Sequence, residues 1–229
     1  MPHAAAVIPS KFAFNSRISQ LAVREADENW SLWQKSFPQG EPSERAFSET
    51  IPDLITFYAF GFDYSVFRRL KRQHLAEIFR FLRKQEAPSS PAELNHELGN
   101  FIEKELNKSL KPPYQSSTNN FSMCSKLMTM WRPDRFYMID SLNRRALKEL
   151  HKEVDFRGNA FSSASQRSYE ALEATFNALL SKNEFPRLGD MSIPEPQIAR
   201  RRFIDAYFVR WGRELQEKDE EAKQQTDPR

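Results

Sequence analysis

Three observations predict an all-α protein. Apolar residues recur at helical period along the chain, several stretches carry the residue pattern of a helix start, and glycine is scarce, with six in all and few alternating apolar and polar runs. At 229 residues the chain is long enough to bury one sizeable core, or a core divided between two lobes, without support from disulfides or metals. Cys124 is the only cysteine, which rules out an internal disulfide and fits a reducing compartment. The opening residues lack the basic start and apolar run of a signal peptide, and no segment approaches a membrane span. A soluble, cytoplasmic protein is therefore expected. The net charge of +3 is too small to identify a nucleic-acid partner, so local clustering of charge has to carry that question.

Residues 1–16 read as a flexible N-terminal arm. A helix follows over 17–35, in which Trp30 and Trp33, three residues apart, share a face expected to meet a core. Residues 37–48, with Pro38, Gly40 and Pro42, read as a loop. Thr50-Ile51-Pro52-Asp53 has the form of a capping box that starts a short apolar helix to about residue 60.

A second start at Asp63 opens the most basic helix of the chain, 64–84. Phe67, Leu70, Leu75, Ile78 and Leu82 form its apolar stripe, while Arg68, Arg69, Lys71, Arg72, Arg80, Arg83 and Lys84 leave Glu77 as the lone acid. Cations spread along one element can neutralise phosphates and release counterions; a solvated helix face accounts for them equally well. Within this helix Arg69-Leu-Lys-Arg-Gln-His74 resembles the R-x4-6-H motif of HEPN ribonucleases, which implies metal-independent RNA cleavage depending on His74. Residues five apart on one helix point ~140° from each other, and His74 falls beside the apolar stripe, where a satisfied core histidine is the expected reading.

Ser90-Pro91-Ala92-Glu93 is another capping box, opening a helix to about residue 110 through Leu94, Leu98, Phe101, Ile102 and Leu106. Residues 111–120 are the most linker-like stretch, read equally as a loop whose amides and hydroxyls touch a DNA backbone and as merely a polar connection. Asn120 or Ser122 then caps a helix that Pro133 ends, placing Lys126 in or near the first turn, where unpaired N–H groups disfavour its charged form. A lysine with a lowered pKa is an amine nucleophile. Asp140 caps the next helix, 141–153, and stays ionised against its amides. The helix rise from Lys126 to Arg132 is only ~9 Å and the link to Asp140 reaches back as far as ~24 Å, so the two can lie together. The same residues also read as a surface lysine on an amphipathic helix and a cap with no further duty. Trp131, Phe136 and Tyr137 are expected in the core, and His151 sits near the end of the Asp140 helix.

Ser163-Ala164-Ser165-Gln166 starts a helix containing Tyr169, Leu172, Phe176 and Leu179, and 185–196 is a loop. The last helix, 197–216, aligns Ile204, Tyr207, Phe208, Trp211 and Leu215 behind the run Arg200-Arg201-Arg202, which grips phosphate or forms a solvated end. Residues 217–229 are charged, lack an apolar stripe and are expected to be mobile. The domain reading is thus an arm (1–16), one helical domain (17–216) and a tail (217–229).

Ser125-Lys126, the apolar helix, Pro133-Asp134-Arg135-Phe136, then an apolar pair and Asp140-Ser141, resemble the helix-hairpin-helix DNA glycosylases, specifically bacterial 8-oxoguanine DNA glycosylase-like proteins, over about residues 122–147. Where that family carries a Gly-x-Gly hairpin before the lysine, this chain has 114–120. The resemblance implies that the helical domain 17–216 has two lobes around a cleft, that Lys126 attacks the sugar C1′ to form a Schiff base and that Asp140 stabilises the developing oxocarbenium charge. It implies excision of a base from duplex DNA, either an oxidised purine or a large modified base of invading viral DNA, with the target flipped out and no cofactor or metal. Candidate DNA contacts are Arg68, Arg69 and Arg72, Ser125 beside the lysine, and Arg200 and Arg201. The alternatives are the HEPN-like RNase and a non-catalytic helical module that binds nucleic acid or protein.

Overall fold

Most helices begin where a serine, asparagine or aspartate can take up amides that the first turn leaves unbonded. The computed structural model describes residues 9, 12–36, 46–63, 67–152, 161–182, 185–189 and 191–226; no strand occurs among them. The helices are α1 (Ser16–Ser36), α2 (Phe47–Thr50), α3 (Leu54–Asp63), α4 (Leu75–Leu82), α5 (Pro91–Phe101), α6 (Phe121–Trp131), α7 (Ser141–Leu150), α8 (Gln166–Leu180) and α9 (Pro196–Thr226). A 3₁₀ turn, Arg72–His74, precedes α4, and a π-helical turn, Ile102–Leu106, continues α5. None of these helices is long and apolar enough to cross a membrane. The chain divides into two compact units, one of Met1–Ser31 with Ile139–Arg229 and one of Leu32–Met138.

In the first unit α7 lies along α9, and α8 packs on both. Ile204, Tyr207 and Phe208 of α9 are buried, as their spacing predicts. Phe12 and Phe14 pack on this core, so residues 12–15 are held rather than loose. Phe12 and Phe14 meet Tyr207 edge-on at 6.4 and 5.0 Å between ring centroids, and the Asn15 amide donates to the Tyr207 hydroxyl at 3.0 Å. Two aromatic anchors hold a segment that has no helical period to betray it. The remaining arm residues, 1–8, 10 and 11, lie outside the described residues.

At the other end α9 runs on through the expected tail to Thr226, with 227–229 outside the described residues. Glu, Lys, Ala and Gln dominate that extension and favour a helix without any apolar stripe. Gln216 donates to Glu220 one turn on at 2.8 Å, and Asp219 forms an ion pair with Arg145 of α7.

In the second unit α6 packs against α5 and α2, and α4 against α3 and α5. Ser90 caps α5 with Pro91 in the first turn: its hydroxyl accepts the Glu93 amide at 3.2 Å, and Glu93 reaches back to Ser89 rather than to Ser90. Two sequence readings are corrected. The start assigned to Thr50 belongs to Asp53, whose carboxylate accepts the amides of Ile55 and Thr56 and the Thr56 hydroxyl at 2.7–3.1 Å. The Thr50 hydroxyl instead donates to the Phe47 carbonyl and closes α2, whose first two residues fall in the stretch read as a loop. The basic helix is not continuous either. α3 persists to Asp63, residues 67–70 turn, and helix resumes only at Arg72. Residues 37–45 and 64–66 lie outside the described residues.

Candidate functional site

α6 decides the setting of the lysine. Its sequence Met123-Cys-Ser-Lys-Leu-Met-Thr-Met-Trp131 is buried at every position, so the helix is interior all round, not amphipathic. Lys126 is the sole charged residue of α6 and only 9% exposed, which overturns the reading of a surface lysine. It is the sixth residue of the helix, beyond the first turn in which terminal amides act most strongly. The N-cap Asn120 makes no side-chain cap; its amide group donates to the Ser117 carbonyl instead. Burial therefore replaces the helix terminus as what sets this lysine apart. Cys124, two residues earlier, is fully buried, and burial pushes its thiol well above the ordinary range.

Ser125 is also fully buried and donates to the Ser122 carbonyl at 2.9 Å. A direct phosphate contact is closed to it, because the alternation of exposed and covered positions assumed for an amphipathic helix does not exist here. Trp131, Phe136 and Tyr137 are buried core residues, as expected. Between α6 and α7, Arg132 and Asp134 form a two-pronged pair at 2.9 and 2.7 Å, and that hydrogen-bonded carboxylate raises the guanidinium pKa.

Asp140 lies in the other unit and opens α7 as the sequence predicts. Its Oδ1 accepts the amides of Leu142 and Asn143, both at 2.9 Å, while Asn143 Oδ1 accepts the Asp140 amide at 3.0 Å. Oδ2 takes no part in this capping box, so the carboxylate keeps one oxygen that the cap does not use. His151, at the far end of α7, is buried, stacks on Phe161 and hydrogen-bonds Thr175 through Nε2 at 3.1 Å. Among the described residues no group of His, Cys, Asp or Glu has the arrangement of a metal site.

The cations at 68–72 are exposed on the turn and 3₁₀ segment, not along a helix face: Arg68, Arg69, Lys71 and Arg72 all reach solvent. The loop 111–120 is bonded to the same turn. Ser116 Oγ accepts the Lys71 amide at 3.0 Å and lies 2.7 Å from His74 Nδ1, and the Ser117 amide donates to the Arg69 carbonyl at 3.0 Å. Asn107 clamps Ser116 from the other side, with its side chain bonding the Ser116 carbonyl at 2.7 Å and amide at 2.9 Å. His74 is 6% exposed, the interior histidine that its place beside the stripe predicted.

Arg200 is exposed and lies over the Phe185 ring at 5.4 Å, Arg201 is half-buried, and Arg202 is buried against Asp205 at 2.9 Å. The arginine run is thus not a uniform phosphate grip. Sequence reasoning missed the Ser116 clamp, because a serine in a polar loop signals nothing about its partners. It also passed over Tyr114, 63% exposed in that loop. Compared with models of protein families, with curated proteins and with solved structures, the chain matches none of them.

Proposed function

We propose that the protein is a DNA glycosylase, acting in the cytoplasm without a cofactor, that hydrolyses the N-glycosidic bond of a damaged or modified base. The observation that carries this reading is Lys126, a lysine nine-tenths buried in a helix whose other residues are uncharged. Lysine is rarely kept in such a place for packing, since removing an ammonium group from water costs several kcal/mol, on the order of the stability of a small domain. Functional sites are where such placements concentrate.

In the proposed reaction the neutral amine of Lys126 forms a bond to C1′ of a flipped nucleotide as the bond from C1′ to the base breaks. The base leaves with the electron pair and takes up a proton, the attacking nitrogen gives one up, and opening of the sugar ring yields the Schiff base. Asp140 Oδ2, the oxygen outside the capping box, stabilises positive charge on the sugar. Where water attacks in place of Lys126, the base is still released and no strand nicking follows.

Borohydride trapping of wild type and a folded Lys126→Ala variant tests the reading on duplexes carrying abasic sites, oxidised purines or enlarged modified pyrimidines. A covalent adduct with wild type alone supports it. No adduct and no abasic-site formation on any duplex overturns it. A second reading, a helical module that binds nucleic acid without turnover, is favoured by the exposed cations at 68–72.

A further inference from the structure

We propose that the clamped loops 67–74 and 107–117 form a platform for single-stranded nucleic acid, on which Tyr114 stacks against an unpaired base while Arg68, Arg69, Lys71, Arg72, Lys108 and Lys111 hold the phosphates. The inference deepens the glycosylase reading by naming the surface that receives the strand, and it rests on that reading for the class of partner.

Charge complementarity is the first argument. Residues 67–76 and 106–120 contain no aspartate or glutamate, and the six cations between them are all exposed. The nearest acids along the chain, Glu77 and Glu105, lie outside these stretches, and Glu77 is engaged by Arg80 at 3.6 Å. Exposed cations concentrated without acids favour a polyanion, whose binding releases condensed counterions.

The second argument is the tyrosine. At 63% exposure Tyr114 is one of two large apolar side chains that the described chain leaves in solvent, the other being Ile55. Ser116, two residues on and so within ~7 Å along the backbone, receives the Lys71 amide. The loop that carries the exposed aromatic ring is therefore joined directly to the basic turn. Stacking tolerates any base, because every base offers a π face, but it needs that face uncovered, which selects a single strand over an intact duplex.

The third argument is rigidity. Asn107, Ser116, Ser117 and His74 tie the two loops together, and Gly99 lets the loop lie on α5: a Cβ there would stand 2.9 Å from the Thr118 carbonyl oxygen. The Asn120 amide is anchored to Asn95 Oδ1 at 2.7 Å. A preformed platform loses little further freedom on binding.

The test is fluorescence anisotropy with a labelled oligothymidine and with a duplex of equal length, across a salt series. Wild type is expected to bind the single strand more tightly. Tyr114→Ala should weaken it about tenfold or more, as loss of one base stack does, and Tyr114→Phe should restore it. Arg69→Ala and Lys111→Ala should each make binding less salt-dependent, by roughly 0.7 in the slope of log affinity against log salt. Tyr114 is exposed, so its replacement leaves the fold intact. Equal binding by wild type and Tyr114→Ala, failure of Tyr114→Phe to restore binding, or no binding by wild type at low salt would each overturn the platform. Oligothymidine offers no damaged base, so the result is read without turnover. Tyr114-dependent binding alongside failed trapping sinks the glycosylase reading alone; trapping without such binding sinks the platform alone.

Discussion

Gly212 of α9 passes so close to Leu142 of α7 that a Cβ on the glycine would stand 2.0 Å from the Leu142 carbonyl oxygen. Leu142 is also one of the two residues whose amides Asp140 caps. The helix start that aims Asp140 is therefore seated directly on the backbone of α9. Gly212→Ala would gain about 1 kcal/mol in helix propensity, but the methyl group meets backbone that has no rotamer to retreat into. Overpacking of this kind costs ~1–3 kcal/mol and more where the contact is rigid, so net destabilisation is expected. A denaturant midpoint equal to wild type would show that the two helices slide apart freely.

Asp140 has a capping role and a proposed chemical one, and two variants separate them. Asp140→Asn keeps an oxygen at the cap and should retain stability, whereas Asp140→Ala should lose ~1 kcal/mol. Both should abolish base release, because only the carboxylate carries negative charge. Base release by Asp140→Asn at the wild-type rate would leave the residue a cap and nothing more.

Acid stability depends on helix caps in the second unit. Hydrogen bonds from the Thr56 hydroxyl and amide hold Asp53 below its ordinary 3.8, and the Ser89 hydroxyl and amide hold Glu93 below its ordinary 4.5. A carboxylate with a depressed folded-state pKa contributes stability that is present above its unfolded pKa and lost as pH falls through the folded value. Unfolding midpoints should fall between pH 5 and pH 3, and Asp53→Asn, which preserves a cap but does not titrate, should narrow the fall. Parallel pH profiles of variant and wild type would refute this.

Cys124 has no exposed surface and its thiol pKa is raised by burial. Thiolate is the reactive form, so aromatic disulfide reagents should fail to label the native protein at neutral pH and label it once in strong denaturant. Prompt labelling without denaturant would mean that α6 opens to solvent.

His74 tests the ribonuclease alternative. Its ring is buried on Ser116, so His74→Ala strands a polar partner in the interior and should cost about 1–3 kcal/mol. The expected result is lower thermal stability with no loss of RNA cleavage above background. A folded variant that loses a metal-independent RNase activity present in wild type would restore that reading.

Features whose cause lies within a few residues could be read from the residues alone. Ser90 and Asp140 were legible as helix starts because a cap bonds amides two or three positions ahead, and the stripes of α5, α8 and α9 were legible because a helix repeats every few residues. Everything else depended on how the helices pack. Whether Lys126 meets water depends on the elements packed around α6, which no spacing within α6 records. The basic stretch breaks at 67–70, where its turn is bonded to Ser116 and Ser117 some 45 residues along the chain. Phe12 and Phe14 are anchored by α9 from the opposite end of the sequence. Local hydrogen bonding writes itself into neighbouring residues; burial is a property of partners that the chain brings together only on folding.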